Sequence, residues 1–393
     1  MRIQDGLHGY IEVNSQEKEV LDTPEFQRLR RIKQLGLSSL VYPSANHTRF
    51  EHSLGVMYLA GQFADSLNLD SERKKEVRLA ALLHDSGHGP FSHASEVVAE
   101  EMGLSHEDNS CKVVNKISNK FDSNEERIKK MINGKLEIGQ VVAGDIDSDR
   151  MDYLMRDAHT AGIDYGYIDH ETIIKCAEID SRRLVFRDKA VSALESLFTA
   201  RFHMIDTLYY HHAAVISEKM LQKALRNLVQ EELTIKEMMK MDDYEAHNKL
   251  MSSEGPSKRI YSKIKDRKLY KRALVWEKED LTKTGLKALE NRIEDFHKIE
   301  KEIASEAGVR PEEVILDPPK TPSIENITVK IKKNGEVKGF DEFSPIPKYL
   351  SEAEWRNVAL KVYCPEKHTE KVSDAAEKVL ANYKNILDKY FKD

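Results

Sequence analysis

Over most of the first 300 residues, apolar side chains recur at helical spacing between Gly and Pro punctuation, so this chain is predicted to be mainly α. No internal repeat or low-complexity segment interrupts that pattern. From Arg73 to Asp85 a charged helix ends in the apolar block Ala80-Ala81-Leu82-Leu83, and Gly87, Gly89 and Pro90 stop it. A further helix is predicted to begin near Ser92, a good N-cap residue type. Leu184-Val185-Phe186, flanked by polar residues 180–183 and 187–188, predicts a short hairpin, and Ala190 to about Leu228 predicts one long helix. Glu231 to Lys301 reads as charged and helical, with a looser stretch at Ser252-Ser253-Glu254-Gly255-Pro256.

The pattern changes at Asp317-Pro318-Pro319, where two prolines remove helix donors and bias the preceding residue to extended structure. Beyond it, Ile327-Thr328-Val329-Lys330-Ile331 alternates, Asn334-Gly335 signals a hairpin, Ala359 to Tyr363 predicts another strand, and Lys371 to Tyr390 a closing amphipathic helix. The expected organisation is a helical core over 1–228, a helical extension over 229–315 and a small α+β lobe over 316–393. A length of 393 residues fits two or three such units at roughly 100–200 each.

Composition narrows the function classes. Lys plus Arg number 61 against 67 Asp plus Glu, a net charge of −6, so no global basic field recruits nucleic acid and any phosphate pocket is local. No run approaches 18 apolar residues and the start lacks a signal-peptide core, which predicts a cytoplasmic protein without membrane residence. Cys111, Cys176 and Cys364 form no CxxC pair and read as reduced structural thiols.

Chemistry concentrates in Leu83-His84-Asp85-Ser86-Gly87-His88-Gly89-Pro90-Phe91-Ser92-His93. A helix end broken by glycine lets His84 and Asp85 approach one ion from neighbouring directions. Upstream, Arg49 and His52 lie three residues apart on one helical face, as a cation and a second imidazole. Downstream, Asp149, Tyr153 and Asp157 fall at i, i+4 and i+8, lining one stripe with two carboxylates and a phenol. A lone His-Asp pair is usually a structural hydrogen-bonded pair, but His52, His88, His93 and His106 surround this one, and nitrogen plus oxygen donors suit Mn, Fe, Zn, Ni or Co.

These residues resemble the HD-domain phosphohydrolase superfamily, whose signature is a histidine, a later His-Asp pair and a distal aspartate, matched in order by His52, His84, Asp85 and Asp149. The similarity is closer to the deoxynucleoside triphosphate triphosphohydrolases of the sterile-alpha-motif and HD-domain type. Residues 22–35, His47-Thr48-Arg49-Phe50-Glu51-His52-Ser53-Leu54-Gly55-Val56 and His88-Gly89-Pro90-Phe91-Ser92-His93 carry it. Coverage runs from about Ile3 to Leu228 and more faintly to Tyr390, and the sterile-alpha-motif domain is expected to be absent.

The resemblance implies an enzyme in which water activated by a divalent ion attacks the α-phosphorus of a dNTP, releasing a deoxynucleoside and inorganic triphosphate. His52, His84, Asp85 and Asp149 would hold the ion, with Mg on the substrate phosphates. Arg49, Arg150, Arg201, His88 and Tyr153 would contact the triphosphate. His93 would be the general acid, oriented by Glu96, with His106 as auxiliary. Gln34 and Asp157 would meet the sugar 3′-hydroxyl, and Leu35 and Tyr209 would exclude a 2′-hydroxyl.

The same resemblance implies GTP and dNTP effectors bound between subunits of a homo-oligomer, dimer or tetramer. Asp22, Gln27 and Arg30 match a guanine-nucleotide pocket, and Val41, Tyr42, Arg187, Lys189, His211, Arg267 and Lys271 an adjoining deoxynucleotide pocket. An arginine expected near Asp169-His170-Glu171-Thr172 is missing. Two alternatives remain: a broader HD nucleotide phosphatase or phosphodiesterase, and a non-catalytic nucleotide sensor or nucleic-acid-binding scaffold.

Overall fold

The computed structural model of the chain describes residues 1–277, 293–319 and 327–391. Helices dominate, and the strands, in chain order, are β1 (Arg2–Asp5), β2 (Gly9–Glu12), β3 (Ala177–Asp180), β4 (Arg183–Arg187), β5 (Lys271–Glu277), β6 (Ile315–Asp317), β7 (Lys330–Lys333), β8 (Glu336–Gly339) and β9 (Ala359–Cys364). They form an antiparallel β1-β2 hairpin, a sheet in the order β3-β4-β7-β8, and a sheet in the order β5-β9-β6. Two units draw on interleaved stretches. The first takes Met1–Tyr210, Thr234–His247 and Asn326–Pro347, and the second takes His211–Leu233, Asn248–Glu325 and Lys348–Asp393.

The interleaving differs from the consecutive segments 1–228, 229–315 and 316–393: Thr234–His247 joins the first unit through Asp242 and Asp243, which accept from Arg31, Lys33 and Phe91, and Asn326–Pro347 joins it through one strand pairing. Asn334 and Gly335 both take positive φ, 51° and 86°, as a tight two-residue hairpin requires. The β7-β8 hairpin they close joins the first unit, because β7 pairs in parallel with β4, placing Phe186 opposite Ile331.

In the first unit the Arg49–Ser66 helix packs against the Ser71–Leu83 and Ser148–Ala161 helices. It is buried on most sides: Phe50, Leu54, Met57, Leu59 and Phe63 are inaccessible, and so are Arg49 and His52. A polar stripe therefore runs inside the bundle, and its charges need internal partners. Gly55 makes the close approach of the Ser148–Ala161 helix geometrically possible, since a Cβ there would lie 1.9 Å from Asp152 Oδ1 and 2.5 Å from Arg156 Nη2. In the second unit Leu274, Phe296, Ile303, Leu360, Val362 and Val372 belong to one apolar cluster beneath the three-stranded sheet.

Several local expectations need correction. The helix expected from Ala190 to Leu228 is two, Val191–Met204 and His212–Glu231, separated by a π-turn at Ile205–Tyr209. The Tyr42 hydroxyl donates to the Thr207 carbonyl at 2.6 Å, and the widened turn places Tyr209 against Asp157. The charged region 231–301 contains β5, where Leu274 is the one buried residue and the consecutive run Ala273-Leu274-Val275-Trp276 gives no alternating apolar signal. Residues 278–292 of that region lie outside the described residues. The strand expected over 327–331 begins at Lys330, because Thr328 gives its backbone N–H to Asp145 Oδ2 at 2.8 Å.

Ser92 precedes the His93–Glu100 helix as expected, but its hydroxyl does not cap it. Ser92 Oγ instead donates to Lys33 O at 2.6 Å and accepts from Arg49 Nε at 2.8 Å. Phe91 and Ser92 both carry positive φ, 58° and 52°, and Asp243 accepts from the Phe91 N–H at 2.6 Å. Arg28 donates to the carbonyls of Ser86 at 3.1 Å and His88 at 2.7 Å, so the loop after His84-Asp85 is pinned along its length.

Gly55→Ala is expected to destabilise the protein by about 1–3 kcal/mol, since the extra carbon must displace a buried carboxylate and guanidinium. Gly6→Ala, where an added Cβ meets nothing within 4 Å, is the control and should leave the thermal midpoint unchanged.

Candidate metal centre and its surroundings

Three elements deliver the ligands predicted from sequence. His52 comes from the second turn of the Arg49–Ser66 helix, His84 and Asp85 from the turn that ends the Ser71–Leu83 helix, and Asp149 from the first turn of the Ser148–Ala161 helix. His52 Nε2 lies 2.9 Å from Asp149 Oδ1 and 3.6 Å from Asp85 Oδ2, and His84 Nε2 lies 3.3 Å from Asp85 Oδ1 and 3.6 Å from Asp149 Oδ1. Ligand atoms of His52, His84 and Asp85 fall within 4.8 Å of one another.

The imidazole tautomers are set from outside this cluster. His52 Nδ1 donates to Asp152 Oδ2 at 2.8 Å, and His84 Nδ1 donates to the Ala81 carbonyl at 2.7 Å. Both Nε2 atoms are buried and make no hydrogen bond of good geometry. Two nitrogen lone pairs aimed at two carboxylates fit a divalent transition metal, and the four residues would hold it. Without an ion, burial works against protonating His52, yet Asp149 and Asp152 push its pKa up to about 10. His84 is likewise raised, against burial, by Asp85 and Asp149. Asp85 overcomes its burial through Arg49 and His84 and is held well below the usual carboxylate range.

Asp152 is the residue that sequence reasoning missed. It is fully buried and accepts from His52, from His8 Nε2 at 2.7 Å, and from Arg156 Nε and Nη2 at 2.8 and 2.9 Å. Arg156 also donates to Asp5 at 2.9 Å, which ties the β1-β2 hairpin to the back of the metal ligands. The signal was present as an Asp152/Arg156 pair at i, i+4 on the ligand-bearing helix, but nothing local marks such a pair as buried.

Arg49 reaches Asp85 through Nη1, while its Nη2 is buried without a hydrogen-bond partner. His88 lies 3.3 Å from Asp85 Oδ1 and stacks on His106 with ring centroids 4.2 Å apart. Burial and Arg49 press the His88 pKa down to about 3. Glu96 accepts from His93 Nδ1 at 2.9 Å and pairs with His106 Nδ1. His106 approaches Asp85 and His88 closely enough for their ligand atoms to lie within 4.8 Å of each other, whereas the His93 side chain is 62% exposed.

Away from the ligands, Asp157 is clamped by His47 Nε2 at 2.9 Å and the Tyr209 hydroxyl at 2.6 Å, and Tyr153 meets Tyr209 edge-on at 6.3 Å. Burial raises the Tyr153 pKa despite the nearby Arg201 and Arg150 guanidiniums. Gln34 is buried with its Oε1 unpartnered, and Leu35 beside it is half-buried. A cavity of about 820 Å³ opens beside His84, Asp85 and Asp149, and Arg150 lines it.

Of the residues assigned to nucleotide effectors, Asp22, Gln27, Arg30, Val41, Tyr42, Arg187 and Lys189 lie in the first unit and His211, Arg267 and Lys271 in the second. Arg30 Nε donates to Gln27 Oε1 at 2.9 Å and its guanidinium sits 3.5 Å over the Phe50 ring. Arg187 donates to the Lys175 carbonyl. Arg267 and Lys271 line a basic cavity of about 430 Å³ with His212 and Arg272.

Two outcomes are expected from this geometry. Asp152→Asn should weaken metal binding about 10- to 100-fold by releasing the His52 ring, as measured by metal titration against a chelator. Because the unliganded site raises both histidine pKa values, an entering ion must displace protons. Affinity should therefore climb as pH rises, with net proton release detectable by calorimetry in buffers of different ionisation enthalpy.

Residues 49–157 match the HD domain and residues 168–387 match the HD associated region. An uncharacterized protein of Methanocaldococcus jannaschii is 36% identical over 397 residues, covering 100% of this chain and 84% of its own length. The Dictyostelium discoideum protein named deoxynucleoside triphosphate triphosphohydrolase SAMHD1 homolog is 33% identical over 305 residues, 68% of this chain and 59% of that protein, so the chain spans under two thirds of that relative. A phosphohydrolase crystal structure from Bacteroides thetaiotaomicron superposes with TM-score 0.74 at 25% identity, covering 93% of this chain and 100% of that one. No helix among the described residues is long and apolar enough to cross a membrane. The chain thus carries an HD domain followed by its associated region and belongs to the HD-domain phosphohydrolase superfamily, hydrolases that act on phosphoric esters.

Proposed function

We propose that this protein is a metal-dependent dNTP triphosphohydrolase. The observation that carries the reading is a concentration of buried polar atoms without partners at one place: Gln34 Oε1, Arg49 Nη2, His52 Nε2, His84 Nε2 and His88 Nδ1. Native proteins leave few such atoms, and the group gathered at the candidate metal ligands His52 and His84 and at their neighbours Arg49 and His88 suits a ligand site. The set combines nitrogen ligands, a guanidinium and an amide, which suits an ion together with a phosphorylated, hydroxyl-bearing substrate. The named relative supports the triphosphohydrolase class.

A divalent ion at His52, His84, Asp85 and Asp149 supplies Lewis acidity toward water and a phosphoryl oxygen. Arg49 presents Nη2 to the phosphate while Asp85 and Ser92 hold the rest of its guanidinium. Glu96, kept ionised against its burial by His106 and His93, orients both candidate proton donors to the leaving 5′ oxygen. Tyr209, fixed by its hydrogen bond to Asp157, forms a rigid wall suited to excluding a 2′-hydroxyl. Activation by GTP and dNTP through a homo-oligomer extends the same reading to Asp22, Gln27, Arg30 and the Arg267/Lys271 cavity.

One observation favours a second reading. Asp85, His88 and His106 form another triad of potential ligands sharing Asp85 with the first, as a dinuclear phosphodiesterase would require.

Incubating the metal-loaded protein with each dNTP and NTP, with and without GTP, and separating products by ion exchange tests these readings. Inorganic triphosphate released from dNTPs, with ribonucleotides much slower, is the expected result. Orthophosphate, or two tightly bound ions with cyclic phosphodiester cleavage, supports the alternative. His84→Ala and Asp85→Ala should each abolish turnover and bound metal while circular dichroism stays helical. Tyr209→Ala should narrow the gap between dATP and ATP. Sedimentation should show a shift toward tetramer on adding GTP plus dNTP, blunted in Arg30→Ala.

A further inference from the structure

A carboxylate with no part in the reading above stands where the segments that carry the proposed substrate contacts meet. We propose that Asp243 is a positioning residue, whose carboxylate holds the segment bearing Gln34 and Leu35 and the loop bearing His88 and His93 in one fixed register. The inference rests on the triphosphohydrolase reading and names what aligns its sugar contacts with its proton donors.

Asp243 is buried, and each of its oxygens takes a backbone N–H from a different segment. Oδ1 accepts from Phe91 at 2.6 Å, across 152 residues of chain, and Oδ2 accepts from Lys33 at 3.0 Å. A second tie joins the same two places, since Ser92 Oγ donates to the Lys33 carbonyl at 2.6 Å. Lys33 therefore has both of its backbone polar groups committed to this junction. The segments also touch: Gly36 has φ 48°, and a Cβ there would lie 3.1 Å from the Phe91 carbonyl oxygen.

Each tied segment leads to groups placed in the site. On one side the Gln34 N–H donates to the His47 carbonyl at 3.1 Å and the Arg49 N–H to the Ile32 carbonyl at 3.0 Å, so residues 32–34 pair in antiparallel fashion with 47–49. His47 in turn holds Asp157, and Arg49 holds Asp85 and Ser92. On the other side Phe91 and Ser92 carry the two positive φ values between His88 and His93, a backbone state that persists only under restraint. Arg28 fastens the same corner from its other end, joining the Met241 carbonyl at 2.9 Å to the carbonyls of Ser86 and His88.

The charge is kept at a cost that filling space does not require. Burial pushes the Asp243 pKa up to about 6, against the Lys33 and Phe91 N–H groups that favour the ionised form. An amide or a hydroxyl side chain would avoid that desolvation, but neither offers two acceptor oxygens to two N–H donors at once.

The test uses the metal-loaded full chain with dATP and ATP as probes, metal content by mass spectrometry, and backbone hydrogen exchange read over residues 33–36 and 86–93. Asp243→Asn keeps the size of the side chain but sets an amide NH2 against one of the two N–H donors. It should keep its metal, exchange faster in both segments together, lose about 10- to 100-fold in kcat with KM changed less than about threefold, and narrow the dATP-to-ATP ratio. Asp242→Asn, one residue away and paired instead with Arg31, should retain kcat and the ratio. If Asp243→Asn does not fold, Ser92→Ala, which cuts the second tie, must show the same split between kcat and KM, and its absence there overturns the proposal. Unchanged exchange or unchanged kcat in Asp243→Asn, or equal losses in Asp242→Asn, also overturns it. If the unmodified chain releases no triphosphate from dATP, the triphosphohydrolase reading fails, and joint loosening of the two segments in Asp243→Asn still upholds the junction. If dATP yields triphosphate and Asp243→Asn matches the unmodified chain, the reading stands and the positioning role fails.

Discussion

The first unit is organised around one buried carboxylate. Asp152 accepts four hydrogen bonds, from His52, His8 and twice from Arg156, and no water reaches it. An isolated carboxylate in such a place would be costly, and removing any one donor would leave it underpaired. Its surroundings follow from that constraint. A glycine must stand at 55 for the two helices to close on it, Arg156 must be balanced by Asp5, and the N-terminal hairpin must fold back to bring His8. In return, the His52 ring is locked in the tautomer a metal requires.

A second framework holds the loop between Asp85 and His93. Two consecutive residues with positive φ, neither of them glycine, are unfavourable unless their surroundings over-determine them. Arg28, Asp243 and Arg49 do so through carbonyls, an N–H and the Ser92 hydroxyl. Arg49 thus serves two ends at once: it anchors the loop, and it keeps Asp85 ionised while one of its nitrogens stays without a hydrogen-bond partner.

Much of this was legible in the sequence, for specific reasons. The His-Asp pair sits at a helix end that Gly87 and Pro90 announce, and Asp149 sits on a helix whose stripe also carries Tyr153 and Asp157. Spacing alone placed these side chains on shared faces. Asp152, His8 and Asp5 were not legible, because they meet through tertiary packing of segments distant in sequence, and no local pattern separates a buried acidic residue from a solvated one. The π-turn at Ile205–Tyr209 escaped for a related reason: its sequence is helical in propensity, and only its tertiary bonds to Tyr42 and Asp157 widen it. β5 escaped because its apolar residues Ala273-Leu274-Val275-Trp276 are consecutive rather than alternating and sit inside a charged, helix-patterned region. The parallel pairing of β7 with β4 could not be anticipated from a hairpin signal that specifies only β7 with β8.

That pairing sets an order of assembly. Thr328 and Asp145 are 183 residues apart along the chain, and two of the three stretches of the second unit, His211–Leu233 and Asn248–Glu325, are encoded between them. On a ribosome, the candidate metal ligands from His52 to Asp149 emerge and can gather well before residues 326–347 exist. The cavity wall that Thr328, Val329 and Lys330 line is added late, after the intervening stretch has left the exit tunnel. Closing so long a loop is entropically slow, so on that order of synthesis the candidate ion site can gather while its polar neighbourhood is still open to solvent.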